Sequence, residues 1–123
     1  MSKRILLVGH CGVDGPRLQR EIASQVGSAD AVRINSMEDL HQACDEGADL
    51  MLVNREPVGF TPLMGIDLIR ELCQTYPGQK VMLVSDYSEA QEEATRAGAL
   101  PGFGKADIDS PKFAETICGA LAG

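Results

Sequence analysis

The sequence predicts a three-layer α/β/α domain built on a parallel sheet. Three apolar runs, residues 5–8 (ILLV), 50–53 (LMLV) and 81–84 (VMLV), do not alternate with polar residues, as expected of strands buried on both faces. The segments between and after them carry apolar residues at helical spacing. Strands and helices therefore alternate, and strict alternation implies right-handed βαβ crossovers with helices on both faces of the sheet.

The elements follow in order. After the first strand, Gly15-Pro16 opens a helix with Pro at a plausible first helical position, and Leu18, Ile22 and Val26 lie four residues apart. Residues 31–34 make a weaker second strand. Ser36, a good helix cap, precedes Asp39, Leu40, Ala43 and Cys44. After the third strand, residues 55–63 contain Pro57, Gly59 and Pro62 and read as a long loop. The third helix spans residues 64–75 with Ile66, Ile69, Leu72 and Cys73 inward. A fourth starts at Ser88, with Gln91 completing a capping box, and ends near Gly98. A Gly-rich fifth strand covers residues 102–105. The last helix starts at Ser110-Pro111 and carries Phe113, Ile117 and Leu121.

Composition bounds the function. The 123 residues carry 18 acids and 11 bases, net −7, which argues against a nucleic-acid surface and against docking on anionic membranes. Residues 1–123 read as one domain, large enough to fold without a metal or disulfide. No apolar run approaches the roughly 20 residues of a membrane span, and none near the start suits a signal peptide, so a cytoplasmic protein is expected. Cys11, Cys44, Cys73 and Cys118 form no CxxC and read as free thiols, the last three as core residues.

In a parallel α/β sheet, functional groups gather beyond the carboxyl ends of the strands. Those ends supply Gly9, His10, Asn54, Ser85 and Lys105. These residues resemble the crevice of the response-regulator receiver domains of two-component signalling. Residues 49–54 (DLMLVN) look like the third strand of that family, residues 81–85 (VMLVS) like its fourth strand with the terminal hydroxyl, and Gly98-Ala99 with Lys105 like the approach to its lysine. Gly65-Ile66-Asp67-Leu68-Ile69 resembles the start of its third helix. The resemblance covers nearly the whole chain and implies a flavodoxin-like fold with strand order 2-1-3-4-5.

The departures from the family decide the expected function. Asn54 stands where the family has its phosphoacceptor aspartate, and an amide oxygen does not usefully attack phosphorus. Gly9 and His10 stand where an acidic pair would hold Mg²⁺, a hard cation that needs several oxygen ligands. Glu56 and Asp86 offer acids only from other directions. Gly102 replaces the family's switch aromatic, Phe103 lies one residue off and so faces the other side, and Ala106 replaces a common proline. The expectation is an atypical receiver that takes up no phosphoryl group at position 54, uses no Mg²⁺ or other cofactor, is not an enzyme, and acts by binding another signalling protein or a second copy of itself. The resemblance places the partner or dimer surface on the fourth helix, fifth strand and fifth helix, with Tyr87, Gly102 and Phe103 as candidate contacts.

Other readings use the same residues. Cys11 and Arg17 give C-x5-R between a strand and a helix, which resembles cysteine-dependent phosphatases. Pro16 removes an amide from that loop, Leu18 stands where a hydroxyl would assist, and no Asp-Pro supplies a general acid. Gly9, Gly12 and Gly15 have the wrong spacing for a dinucleotide loop. Val8 stands where cobalamin binding beside His10 would need an Asp, and His10 with Cys11 lacks further zinc ligands. Lys105 is expected to pair with Asp86 or Glu56, or to join His10 and the helix amides after Gly15 in holding an anion.

Overall fold

The computed structural model describes residues 2–122. Its elements are β1 (Lys3–Val8), α1 (Asp14–Gln25), β2 (Ala29–Ile34), α2 (Met37–Glu46), β3 (Leu50–Asn54), α3 (Gly65–Thr75), β4 (Val81–Val84), α4 (Ser88–Arg96), β5 (Leu100–Phe103), a 3-10 turn (Lys105–Asp107) and α5 (Pro111–Ala122). The strands form one parallel sheet in the order β2-β1-β3-β4-β5. This is the flavodoxin-like arrangement that the sequence implied.

Side-chain parity along the strands builds the three layers. Leu6, Val8, Met51, Val53, Val81 and Leu83 pack with Leu40, Leu68, Ile69, Leu72 and Ala94, so α2, α3 and α4 cover one face. Ile5, Leu7, Leu50, Leu52, Met82 and Val84 pack with Leu18, Ile22, Phe113 and Ile117, so α1 and α5 cover the other. Successive residues of β1, β3 and β4 thus feed opposite layers, which is why their sequences run apolar without alternation. With no Trp and few aromatics, the one close ring pair among the described residues matters: Phe103 and Phe113 meet edge to face with centroids 5.0 Å apart.

Local details depart from expectation for physical reasons. Helix α1 begins two residues before Pro16, because the Gly15 amide already donates to the Cys11 carbonyl at 2.9 Å. Ser36 caps α2 as expected, accepting from the Asp39 amide at 3.1 Å. Ser88 and Gln91 form no capping box: Tyr87 is the N-cap, and no side chain caps the helix. The Gln91 side chain turns to β5, where a register shift inserts an extra residue between Met82/Leu100 and Val84/Phe103. Pro101 has no amide hydrogen to give there. Gln91 mends the gap, accepting from the Gly102 amide at 3.1 Å and donating to the carbonyls of Leu83 at 2.9 Å and Ser85 at 3.1 Å. Strand β5 consequently ends at Phe103, and Lys105 sits on the 3-10 turn. Leu68, on the inner face of α3, joins the core although the sequence reading passed over it. Cys44 and Cys73 are partly buried against the core, but Cys118 is exposed because it lies on the outer side of α5. Leu121 is only partly buried.

Truncating Phe113 to Ala would leave Phe103 without its ring partner and open a cavity in the α1/α5 layer. The expected loss is about 3–5 kcal/mol of unfolding free energy, measured by urea denaturation.

Candidate functional site

The carboxyl ends of the strands meet in an open cavity of about 410 Å³ lined by Asn54, Arg55, Glu56, Val84, Ser85, Asp86, Tyr87 and Lys105. Of the five crevice residues singled out in the sequence, Asn54, Ser85 and Lys105 are brought together here. Gly9 and His10 are not among its lining residues.

Asn54 is buried, and its amide nitrogen donates to two backbone carbonyls, Gly9 O at 3.0 Å and Glu56 O at 3.1 Å. Both acceptors are carbonyl oxygens, so the amide must present its NH2 group to them. A carboxylate, which only accepts, cannot make either bond. The Gly9 carbonyl also receives the Val58 amide at 2.8 Å. The long loop after β3 is thereby folded back onto the corner after β1. Gly9 has φ +76°, and a Cβ added there would run into Pro57. Gly59, with φ +92°, lies flat against the Asn35 carbonyl, where a Cβ has no room. Phe60 of the same loop is buried. The space in front of position 9 is therefore filled by Pro57, and an acidic side chain at 9 would have to displace the loop.

His10 is fully buried, not a crevice ligand. Its Nε2 lies 2.8 Å from the Leu52 carbonyl, which can only accept, so Nε2 carries the proton. Nδ1 has no partner. Burial holds the ring neutral, moving its pKa from an ordinary 6.5 to about 4, with Lys105 and Arg33 adding to the shift and the Leu52 bond opposing it. The His10 backbone carbonyl accepts from Arg33 at 3.3 Å and Asn35 at 3.2 Å. His10 therefore brings neither a charge nor a lining side chain to the cavity in which Lys105 sits.

Lys105 also has a different partner from those expected. Its Nζ meets Asp14 Oδ2 at 2.7 Å, and this ammonium is the main reason the Asp14 carboxyl sits below its ordinary range. Asp86 instead accepts the Ala106 amide at 3.1 Å, and Glu56 pairs with Arg55 at 3.1 Å. The Arg55 guanidinium lies 4.9 Å over the Tyr87 ring. Ser85 Oγ accepts from the Tyr87 amide at 3.2 Å. Every cation lining the cavity is already neutralised. Among the described residues, no cluster of three or more His, Cys, Asp or Glu side chains is placed to hold a metal ion.

Cys11 and Arg17 each have another partner. The Cys11 sulfur accepts the Asp14 amide at 3.4 Å, while Arg17 forms an ion pair with Asp109 at 2.8 Å. Of the candidate partner contacts, Tyr87 is 63% exposed, but Phe103 is buried beneath Phe113 and offers no surface. Gly102 is half-buried beside Gln91. Sequence reasoning missed Asp14, Arg33, Asn35 and Gln91. Asp14 alone carried a signal, as an acid in the first turn of a helix that follows the first strand.

No protein-family model matches the chain, and no curated protein does either. Solved structures do. The fold is similar to a response regulator from Thermotoga maritima, with TM-score 0.80, 15% identity and 100% of both chains covered. It is similar to an orphan response regulator of H. pylori, with TM-score 0.73, 22% identity, and 98% of this chain and 97% of that chain covered. It is also similar to the signal receiver domain of a DNA-binding response regulator from Colwellia psychrerythraea, with TM-score 0.78, 12% identity, and 99% and 100% covered. At these identities the likeness establishes the fold.

Two measurements check the site. Replacing Asn54 by Asp sets a carboxylate against two carbonyl oxygens and should lower stability at pH 7 by at least about 2 kcal/mol. That deficit, relative to the parent protein, should shrink in acid, where a protonated carboxyl can donate one bond. For His10, the unfolded ring binds a proton near pH 6.5 and the folded ring near pH 4. The unfolded state therefore holds more protons in between, and stability is greatest above that window and falls as pH drops through it. Between pH 7 and 5 the loss from this ring should be about 2 kcal/mol, and His10→Gln should remove that part of the slope in urea melts.

Proposed function

We propose that this chain is an atypical receiver-like signalling module that acts by binding another protein and does not work by phosphoryl transfer to position 54. The observation that carries the reading is the Asn54 amide clasped between the carbonyls of Gly9 and Glu56. The residue at the phosphoacceptor position is committed as a donor to the backbone. In addition, Pro57 occupies the space an acid at position 9 would need. Of the acids near the cavity, Asp14 is neutralised by Lys105, Glu56 by Arg55, and Asp86 is turned to a backbone amide. A divalent cation would have to break these contacts before gaining its oxygen ligands.

The phosphatase reading of Cys11 and Arg17 finds less support. A phosphoryl clamp needs a free guanidinium, and Arg17 is engaged with Asp109.

The likeness to response regulators supports a signalling role in a soluble-type fold. Among the described residues no helix is long and apolar enough to cross a membrane. A role for residues 1–123 as one folding unit, in a cytoplasmic two-component or phosphorelay pathway, belongs to the same proposal.

The test uses the purified chain. Acetyl phosphate or beryllofluoride with Mg²⁺ should give no adduct by intact mass and no Mg²⁺-dependent change in amide spectra. Asn54→Asp should not restore either response, because the loop still fills the front of position 9. A Mg²⁺-dependent phospho-adduct on the parent chain overturns the proposal. Hydrolysis of p-nitrophenyl phosphate that Cys11→Ser abolishes would establish the phosphatase reading in its place.

A further inference from the structure

The loops that seal the crevice also carry the molecule's outward-facing apolar side chains. Among the described residues, the exposed large hydrophobics are Val13, Val58, Met64 and Tyr87, at 76%, 46%, 39% and 63% exposure. All four lie in the loops at the carboxyl ends of β1, β3 and β4, and none lies on the outer faces of the helices. These loops are tied into one surface. Val58 donates to Gly9 at the head of the Val13 loop, and Arg55 of the Val58–Met64 loop stacks on Tyr87. An exposed side chain here and there is ordinary; confinement of all of them to one end is the mark of an interaction site.

We infer that this apolar end of the sheet docks a cationic, apolar-anchored segment of another protein, with Tyr87, Val58, Met64 and Val13 as the contact residues. The inference rests on the proposed binding role. Charge complementarity selects the occupant. At this end Arg55 and Lys105 are held by Glu56 and Asp14, and Arg33 is turned to the carbonyls of His10 and Cys11 in the Val13 loop, whereas exposed Asp86 and Glu89, on the Tyr87 side, have no cationic partner within 4.0 Å among the described residues. Glu92 and Glu93 continue that exposed acidic border along α4, at spacings of three and four residues from Glu89 where like charges repel. A Lys- or Arg-bearing partner relieves this repulsion while its apolar residue covers Tyr87. A second copy of a chain with net charge −7 would bring acid to acid.

The surface is testable with short synthetic peptides that alternate Lys with Leu and counterparts that alternate Glu with Leu, followed by amide NMR on the full chain. The Lys peptides should shift the amides of residues 11–14, 56–64 and 86–89, with binding that weakens as salt is raised. The Glu counterparts should not bind. Tyr87→Ala combined with Val58→Ser should weaken binding about tenfold or more while leaving the rest of the spectrum unchanged, since both side chains are exposed. Equal binding of the two peptides, no binding, shifts centred on other faces, or concentration-dependent self-association through these loops would each overturn the inference. Acetyl phosphate with Mg²⁺ added to the same sample reads the proposed loss of phosphoryl transfer separately.

Discussion

The arrangement depends on one carbonyl group, that of Gly9. It receives the Asn54 side chain from β3 and the Val58 amide from the loop beyond it. An oxygen with two lone pairs satisfied by two donors is a stable buried acceptor. The bonds hold the 55–64 loop against the first corner of the sheet. Because the residue at 9 has no Cβ, Pro57 can lie directly on it. An amide at 54, a glycine at 9 and a long loop are therefore three parts of one structure. Each makes sense only with the other two.

This closure rearranges the electrostatics around it. Lys105, at the mouth of the sheet, is drawn to Asp14 at the start of α1. His10, next to Gly9, turns inward and donates to Leu52. A charged ring there would have to be desolvated with its Nδ1 unpartnered, so the neutral form prevails. The cavity that remains is polar: its two cations are paired with Glu56 and Asp14, while Asp86 accepts only a backbone amide. The exposed large apolar side chains lie in the loops here: Val58 and Met64 in the sealing loop, Tyr87 under the Arg55 guanidinium, and Val13 in the loop after β1. A site that receives a phosphoryl group needs unpaired charge within reach of solvent. This end of the molecule presents exposed carbon with acids at its border.

On the opposite side of β4, Gln91 shows the same economy. Proline and glycine in β5 interrupt the ladder, and one amide side chain from α4 satisfies the donor and acceptors left over. The register shift lets Phe103 reach Phe113 in the α1/α5 layer.

The layering of this protein was legible in its sequence. Uninterrupted apolar runs at 5–8, 50–53 and 81–84, with helical periodicity between them, are a local signal, since burial of a strand on both faces leaves no room for alternation. The amide at position 54 could also be read directly, because the chemistry of a side chain is a property of the residue alone. The direction in which that side chain points was not legible, nor were the pairing of Lys105 with Asp14, the burial of His10 or the turning of Gln91 toward β5. Each depends on a contact between residues distant in the chain: 45 positions between Asn54 and Gly9, and 42 between His10 and Leu52. Such contacts exist only once the crossovers have brought the strand ends together. Periodicity reports which face of an element is apolar, whereas hydrogen-bond partners and ion pairs are chosen among groups that folding makes neighbours.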